Sequence, residues 1–288
     1  VNCQSNISVN NDNGDCGAIV NFSAPTATDN CVLSSFTSNY NSGDLFPVGT
    51  TTVTYTATDG GGNVTTCSFD ITVTDTELPS IANCPAAIIA SNSVGQCGAN
   101  VSWSVPVASD NCNVNSFTTT HSPGSFFPLG TTTVVYTATD DAGNSITCTF
   151  NVTVNDTEAP TLSCPANITV NNNTGQCGAL VNYTVTGTDN CPGAVTSLTA
   201  GMASGSFFPV GTTTVSYSVT DAASNTSTCS FTVTVVDNEA PVFNCPPDLL
   251  VCGNKTVVDF SIPTFNDNCP GASAVQISGP ASGSTLTV

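Results

Sequence analysis

Apolar and polar residues alternate with a period of two along most of the chain. In VTYTA, Val53, Tyr55 and Ala57 make one face, while Thr54, Thr56 and Thr58 make the other. In CSFDITVTD, Cys67, Phe69, Ile71 and Val73 alternate with Ser68, Asp70, Thr72 and Thr74. Farther on, Ala99, Val101, Trp103 and Val105 alternate with Asn100, Ser102 and Ser104. Such stretches are rich in β-branched and aromatic residues and are broken by PVG, GGGN and DNC clusters. They predict half-buried antiparallel strands. No pattern of period 3.6 runs long enough to predict a helix.

The strands come in copies. FPVGTTTVTYTATD at 46–59 returns as FPLGTTTVVYTATD at 127–140 and FPVGTTTVSYSVTD at 208–221, a spacing of 81 residues. A fixed period of this kind decides the architecture. About 80 residues with some seven short strands fit a two-sheet sandwich. The predicted fold class is therefore all-β: tandem immunoglobulin-like β-sandwich domains arranged as an elongated rod. The expected domains are 1–78, 79–159, 160–240 and a partial fourth repeat at 241–288. The last segment stops before its FPVG phrase, so the sequence reads as an excerpt from a longer array. Each full domain is expected to add roughly 35–45 Å. The linkers DTELP, DTEAP and DNEAP end in proline, which restricts the joint.

Fifteen cysteines accompany the repeats, as three sets of four and one of three. Spacings of 13, 15 and 36 residues within the first set, with no CxxC anywhere, argue for disulfides in an oxidising setting rather than for zinc. Four cysteines allow three connectivities. In an immunoglobulin-type sandwich the first and last strands start at the same end, which favours Cys3–Cys67, Cys84–Cys148 and Cys164–Cys229. The remainder then give Cys16–Cys31, Cys97–Cys112, Cys177–Cys191 and Cys252–Cys269, with Cys245 unpaired. A bridge between neighbours such as Cys67 and Cys84 would have to close over a strand of roughly 27 Å, far beyond the Cα separation a disulfide allows.

Charge narrows the functional classes. The net charge is −19, with Lys255 the one basic side chain besides His121. Nucleic acid and anionic membrane surfaces are poor partners, since phosphate neutralisation needs clustered Lys and Arg. No stretch approaches the roughly 18 apolar residues of a membrane span. Thirteen of the 20 acids recur in four slots: the DN-Cys turn, the end of the VxYxxT strand, and two linker positions. In a head-to-tail string Asp75 and Glu77 are expected to approach Asp110 and Asp140. The next junction would gather Asp156, Glu158, Asp189 and Asp221, and Asp237, Glu239 and Asp267 repeat the pattern. Four converging carboxylates repel by roughly 1 kcal/mol per pair at 4 Å even in water, and a calcium ion with six to eight oxygen ligands would remove that cost. The alternative is ordinary turn formation, each carboxylate accepting backbone N–H bonds. No cofactor is otherwise required. His121 occurs in one repeat only and has no partner for catalysis; Trp103 stands where Phe22 and Tyr183 stand in the other repeats, and reads as core. Eleven N-x-S/T sequons leave glycosylation open.

The series CP…GQCGA…TDNC…FPVGTTTVxYxxTDxxxN…CxFxVTVxDxExP resembles the hyalin repeat, or HYR module, along the whole chain. Repeat one departs with NCQ in place of CP, and the fourth segment shortens its first loop. The resemblance implies an immunoglobulin-like sandwich of extracellular adhesion, matrix or surface proteins, with no catalytic activity. The expected function is a structural or adhesive stalk or filament outside the cell. Its expected partners are other copies of itself or surface and matrix components. Two other readings are a glycan- or protein-binding module using the variable loops 32–45, 113–126 and 192–207, and spacer repeats of a large secreted enzyme.

Overall fold

The computed structural model describes residues 3–248 and 257–285. Every regular element among them is a strand. The chain divides into two compact units, Val1–Ser93 with Cys97–Asp156, and Val94–Gln96 with Thr157–Val288.

In the first unit, repeat one comprises β1 (Ile7–Asn10), β2 (Gly17–Ile19), β3 (Leu33–Ser38), β4 (Leu45–Pro47), β5 (Gly49–Asp59) and β6 (Val64–Thr74). One sheet has the order β1-β6-β5-β3 and the facing layer is the pair β2-β4. β1 runs parallel to β6, with Ile7 opposite Ile71, and the other pairings are antiparallel. Repeat two comprises β7 (Ser80–Ala82), β8 (Ile88–Ser91), β9 (Gly98–Asn100), β10 (Val107–Ser109), β11 (Val114–Thr119), β12 (Phe126–Pro128), β13 (Gly130–Asp140) and β14 (Ser145–Asn155). Its large sheet is β11-β13-β14-β8, faced by β9-β12, and β7 pairs with β10. In the second unit the third repeat has the same plan, with Ile168–Asn171 parallel to Thr226–Val236 and Gly211–Thr220 between the latter and Val195–Ala200. In the segment after it, Val242–Asn244 pairs with Thr264–Asn266. Each full repeat is an immunoglobulin-like β-sandwich.

The period-two pattern sets which faces meet. Val53, Tyr55 and Ala57 are buried, as are Phe69, Ile71 and Val73 across the ladder. Phe46, Phe127 and Phe208, from the FPVG phrase, are fully buried and close the core from the small second layer. The outward threonines pair across strands, Thr50 with Thr72 and Thr131 with Thr153 through hydroxyl hydrogen bonds of 3.2 and 2.9 Å. Alternation misleads at one place. The stretch from Ala99 to Val105 reads as one strand, yet the strand ends at Asn100, and Val105 is exposed just before Pro106. Proline offers no N–H to a ladder. Trp103 instead swings edge-on over Phe127 and Phe150, its indole N–H donating to the Tyr136 hydroxyl at 2.9 Å. In the third repeat Tyr183 packs edge-on against Phe231. Desolvation, then its hydroxyl contact with Tyr217, holds the Tyr183 phenol well above the usual tyrosine range.

Two turns explain repeated residues. Gly17, Gly98 and Gly178, each after a cysteine, lie where a side chain cannot fit: a Cβ on Gly178 would stand 2.4 Å from the Phe208 carbonyl oxygen. The β5–β6 turn and its counterparts use an Asp-x-x-x-Asn frame. Asp59 Oδ1 accepts the Asn63 backbone N–H at 2.8 Å, and Oδ2 accepts the Asn63 side-chain amide at 2.7 Å. These donors, the side-chain amide first, hold the Asp59 carboxyl below the usual range. The residue before the asparagine is left-handed, with φ of 83° at Gly62, 94° at Gly143 and 75° at Ser224. An L-residue there is strained by about 1 kcal/mol. Ser224→Gly is therefore expected to stabilise the third repeat by about 1 kcal/mol, read by chemical denaturation; no gain would show that the Ser224 side chain compensates the strain.

Candidate functional site

The chemistry of this chain sits at the two ends of each sandwich. The register shows which residues share an end. β1 runs to Asn10 opposite Thr74, Gly17 pairs with Pro47, and Gly49 pairs with Val73. The hairpin before β2, with Cys16, therefore lies at the end where β6 leaves the domain. Cys31 precedes β3, whose Leu33 pairs with Asp59 at the opposite end of β5. Eleven residues of β5 separate the two ends by roughly 33 Å.

That separation corrects part of the expected disulfide set. Cys3–Cys67, Cys84–Cys148 and Cys164–Cys229 form, with Cα–Cα distances of 5.6, 5.9 and 6.1 Å. Cys16–Cys31 does not form, because those residues occupy opposite ends; Cys16 is bonded to Cys112 of the following repeat, with Cα atoms 4.7 Å apart. Cys97–Cys112 is excluded with it. In the second unit Cys177 is bonded to Cys269, again at 4.7 Å, so neither Cys177–Cys191 nor Cys252–Cys269 forms. Cys252 lies outside the described residues. Cys97 and Cys191 are both disulfide-bonded. Cys31 and Cys245 are free and exposed.

Hydrogen bonds surround each link between successive repeats. The linker after β6 turns back on its own hairpin: Asn11 Oδ1 accepts the Thr76 N–H at 3.0 Å, and Glu77 accepts the Gly14 N–H at 2.8 Å. The next repeat then docks its DN-Cys loop. Asn111 donates to the Asp15 carbonyl at 3.0 Å, and Asn144 donates to the Asp75 carbonyl at 3.2 Å. In the second unit Asn268 donates to the Gln176 carbonyl at 3.1 Å, and Glu239 accepts the Gly175 N–H. The asparagines of the DN-Cys motif thus read a backbone carbonyl beside the partner cysteine.

The acids expected to converge are mostly engaged by the protein's own N–H groups. Asp140, fully buried, accepts the backbone and side-chain N–H of Asn144, both at 2.8 Å, and Asp221 does the same with Asn225. Glu77, Glu158 and Glu239 accept from Gly14, Gly95 and Gly175. Asp110, Asp189 and Asp267 accept from the N–H of the cysteine two residues on, and Asp237 from Glu239. Asp156 makes an interaction of its own. The first junction brings together Asp75 and Asp110, whose carboxylate oxygens lie within 4.8 Å of each other and of the Cys112 sulfur. It leaves Glu77 and Asp140 to their own donors. Oδ1 of Asp110 is buried and accepts no hydrogen bond. The Cys112 sulfur is committed to its disulfide and offers no thiolate.

Peptide mapping of the oxidised protein under non-reducing conditions is expected to yield Cys16–Cys112 and Cys177–Cys269 peptides, with Cys31 alkylated. A Cys16–Cys31 peptide would overturn this arrangement.

Comparison with known proteins gives a family. The HYR domain matches residues 1–73, 74–154 and 155–235. Hyalin of Strongylocentrotus purpuratus is 36% identical across 98% of this chain and 25% of that protein; hyalin of Lytechinus variegatus is 37% identical across 88% and 51%. The chain spans between a quarter and about half the length of these relatives. Among solved structures, Drosophila N-cadherin EC1-3 aligns over 82% of this chain and 99% of that one, at 14% identity and a TM-score of 0.32. With three tandem matches that follow its own internal repeat, this chain belongs to the HYR-domain family.

Proposed function

We propose that the chain is a load-bearing stretch of an extracellular structural or adhesive protein, a stalk or filament segment whose repeats are stapled both internally and to one another. The observation that carries this reading is the Cys16–Cys112 link with its flanking hydrogen bonds, repeated at Cys177–Cys269. A disulfide inside a repeat keeps that repeat shut. One between repeats also fixes the joint, so tension passes through covalent bonds from one sandwich to the next. Such bonds persist in oxidising compartments outside the cytosol. No helix among the described residues is long and apolar enough to cross a membrane.

Single-molecule pulling tests the reading. Cys3–Cys67 encloses a separation of 64 residues, as does Cys84–Cys148. Fully extended, that length is about 220 Å. Oxidised protein is expected to show no extension steps of that size, and reduced protein one for each opened repeat. Steps of that size in oxidised protein would rule out the load-bearing role.

A calcium ion at the first junction is part of the same proposal. Asp75 and Asp110 supply two carboxylates, and the unbonded Asp110 oxygen supports a cation between them. Two protein carboxylates fall short of six to eight ligands, so water would complete the shell and the affinity would lie in the roughly millimolar range of extracellular modules. Ten-millimolar calcium is expected to raise the melting temperature by a few degrees in the native chain and not in Asp110→Asn. An equal response from both would rule the site out.

A further inference from the structure

Repeats one and two carry the same loop in two states. In repeat two the DN-Cys loop is engaged: Cys112 is bonded to Cys16, Asn111 donates to the Asp15 carbonyl, and Asn144 donates to the Asp75 carbonyl. Asp75 is buried there, and Asp140 is fully buried. In repeat one the loop has the same internal frame. Asp29 accepts the Cys31 N–H at 3.0 Å, against 2.9 Å for Asp110 and Cys112. Asn63 holds Asp59 as Asn144 holds Asp140. Yet Cys31 is a free, exposed thiol and Asp59 is part-exposed. A cavity of about 200 Å³ has Ala27, Thr28, Asp29 and Asn63 in its lining; in repeat two the counterparts Ala108 and Ser109 pair with β7, while Asp110 and Asn144 meet Asp75.

We propose that this end of repeat one is a docking socket for the hairpin end of another HYR repeat, locked by a disulfide between Cys31 and that repeat's Cys-Gly hairpin cysteine. Three features fit this occupant independently. The thiol stands where Cys112 and Cys269 carry disulfides to a hairpin cysteine. Asn30 holds the place in the DN-Cys motif from which Asn111 and Asn268 donate to the carbonyl before that cysteine. Asp29 and Asn63, both in the lining of the cavity, hold the positions of Asp110 and Asn144, which meet a linker aspartate in repeat two. The occupant is a repeat joined through a linker running directly into Val1, rather than a separate molecule, because Asp75 reaches the second socket as part of the linker that leads into Cys84. Closure oxidises two thiols to one disulfide, and two electrons and two protons pass to an external disulfide oxidant such as oxidised glutathione, which becomes two thiols.

The test places a second copy of residues 1–81 ahead of Val1 and leaves the rest of the chain intact, so that the added hairpin cysteine falls one period before Cys16. Both the original and the extended chains are oxidised with glutathione, alkylated and mapped without reduction. With the Cys31 of the added copy itself changed to serine, so that one such cysteine remains, Cys31 is expected to be fully alkylated in the original chain and at least tenfold protected in the extended chain, where it is recovered in one peptide with the added hairpin cysteine. Changing that added cysteine to serine should restore alkylation at Cys31 and leave Cys16–Cys112 unchanged, which separates loss of the link from loss of folding. Continued alkylation of Cys31 in the extended chain would overturn the proposal. So would its recovery in disulfide-linked dimers of the extended chain, which would make the occupant a separate molecule.

Discussion

The covalent joint between the trailing hairpin of one sandwich and the leading loop of the next is the constraint around which the other features arrange themselves. It requires Cys16 and the linker after β6 to lie side by side, which the parallel β1–β6 pairing and the back-bonds from Asn11 and Glu77 enforce. It also requires a receiving loop of fixed shape. The Asp-Asn-Cys frame supplies one, with the aspartate bracing the cysteine N–H and the asparagine reaching the facing carbonyl. In the chain-entropy account a cross-link stabilises more as the loop it closes lengthens, by about 4–5 kcal/mol for loops near 100 residues. Cys16–Cys112 spans 96 residues, so it stabilises the pair of repeats as one body as well as each sandwich.

The acids make sense in the same frame. Carboxylates clustered at the ends of sandwiches would repel if left bare, but nearly every one has a donor of its own. Linker glutamates hold the hairpin glycines, and strand-end aspartates hold the turn asparagines. A carboxylate that accepts two or more N–H bonds keeps its charge at little cost. Asp59 shows the effect where it is part-exposed: its pKa is lowered, so its turn is fully supported above the ordinary aspartate range and loses that support as pH falls below it. Asp110 and Asp189 are the exceptions among the described residues: in each, Oδ2 accepts the N–H of the cysteine two residues on while Oδ1 is buried without a hydrogen bond, and Asp110 lies beside the Asp75 carboxylate.

Much of the fold could be read along the chain. Alternation placed Val53, Tyr55, Phe69 and Ile71 in the core, because a pleated strand sends successive side chains to opposite faces whatever surrounds it. The repeat gave the sandwich and its copies. The turns were legible as turns, though not the reason for Gly178, whose missing Cβ answers to the carbonyl of Phe208 on another strand. Val105 was misread because a period of two continues formally up to Pro106, while the ladder had already ended at Asn100.

Cysteine pairing divides along the same line. The link from first to last strand follows from strand order alone, so Cys3 and Cys67 could be matched on paper. Cys16 and Cys31 are 15 residues apart and look like natural partners, yet they sit at opposite ends of strands roughly 33 Å long. Linear spacing carries no information about which end of a sandwich a hairpin occupies, nor that the end of one repeat is the beginning of the next contact. The sequence by itself determined the strands, the inward faces, the repeat and the intra-repeat staple, because these follow from local stereochemistry and order. Only the tertiary structure decided that Cys16 belongs to Cys112 and that the glutamates bind hairpin backbone, because those depend on which surfaces meet across a junction.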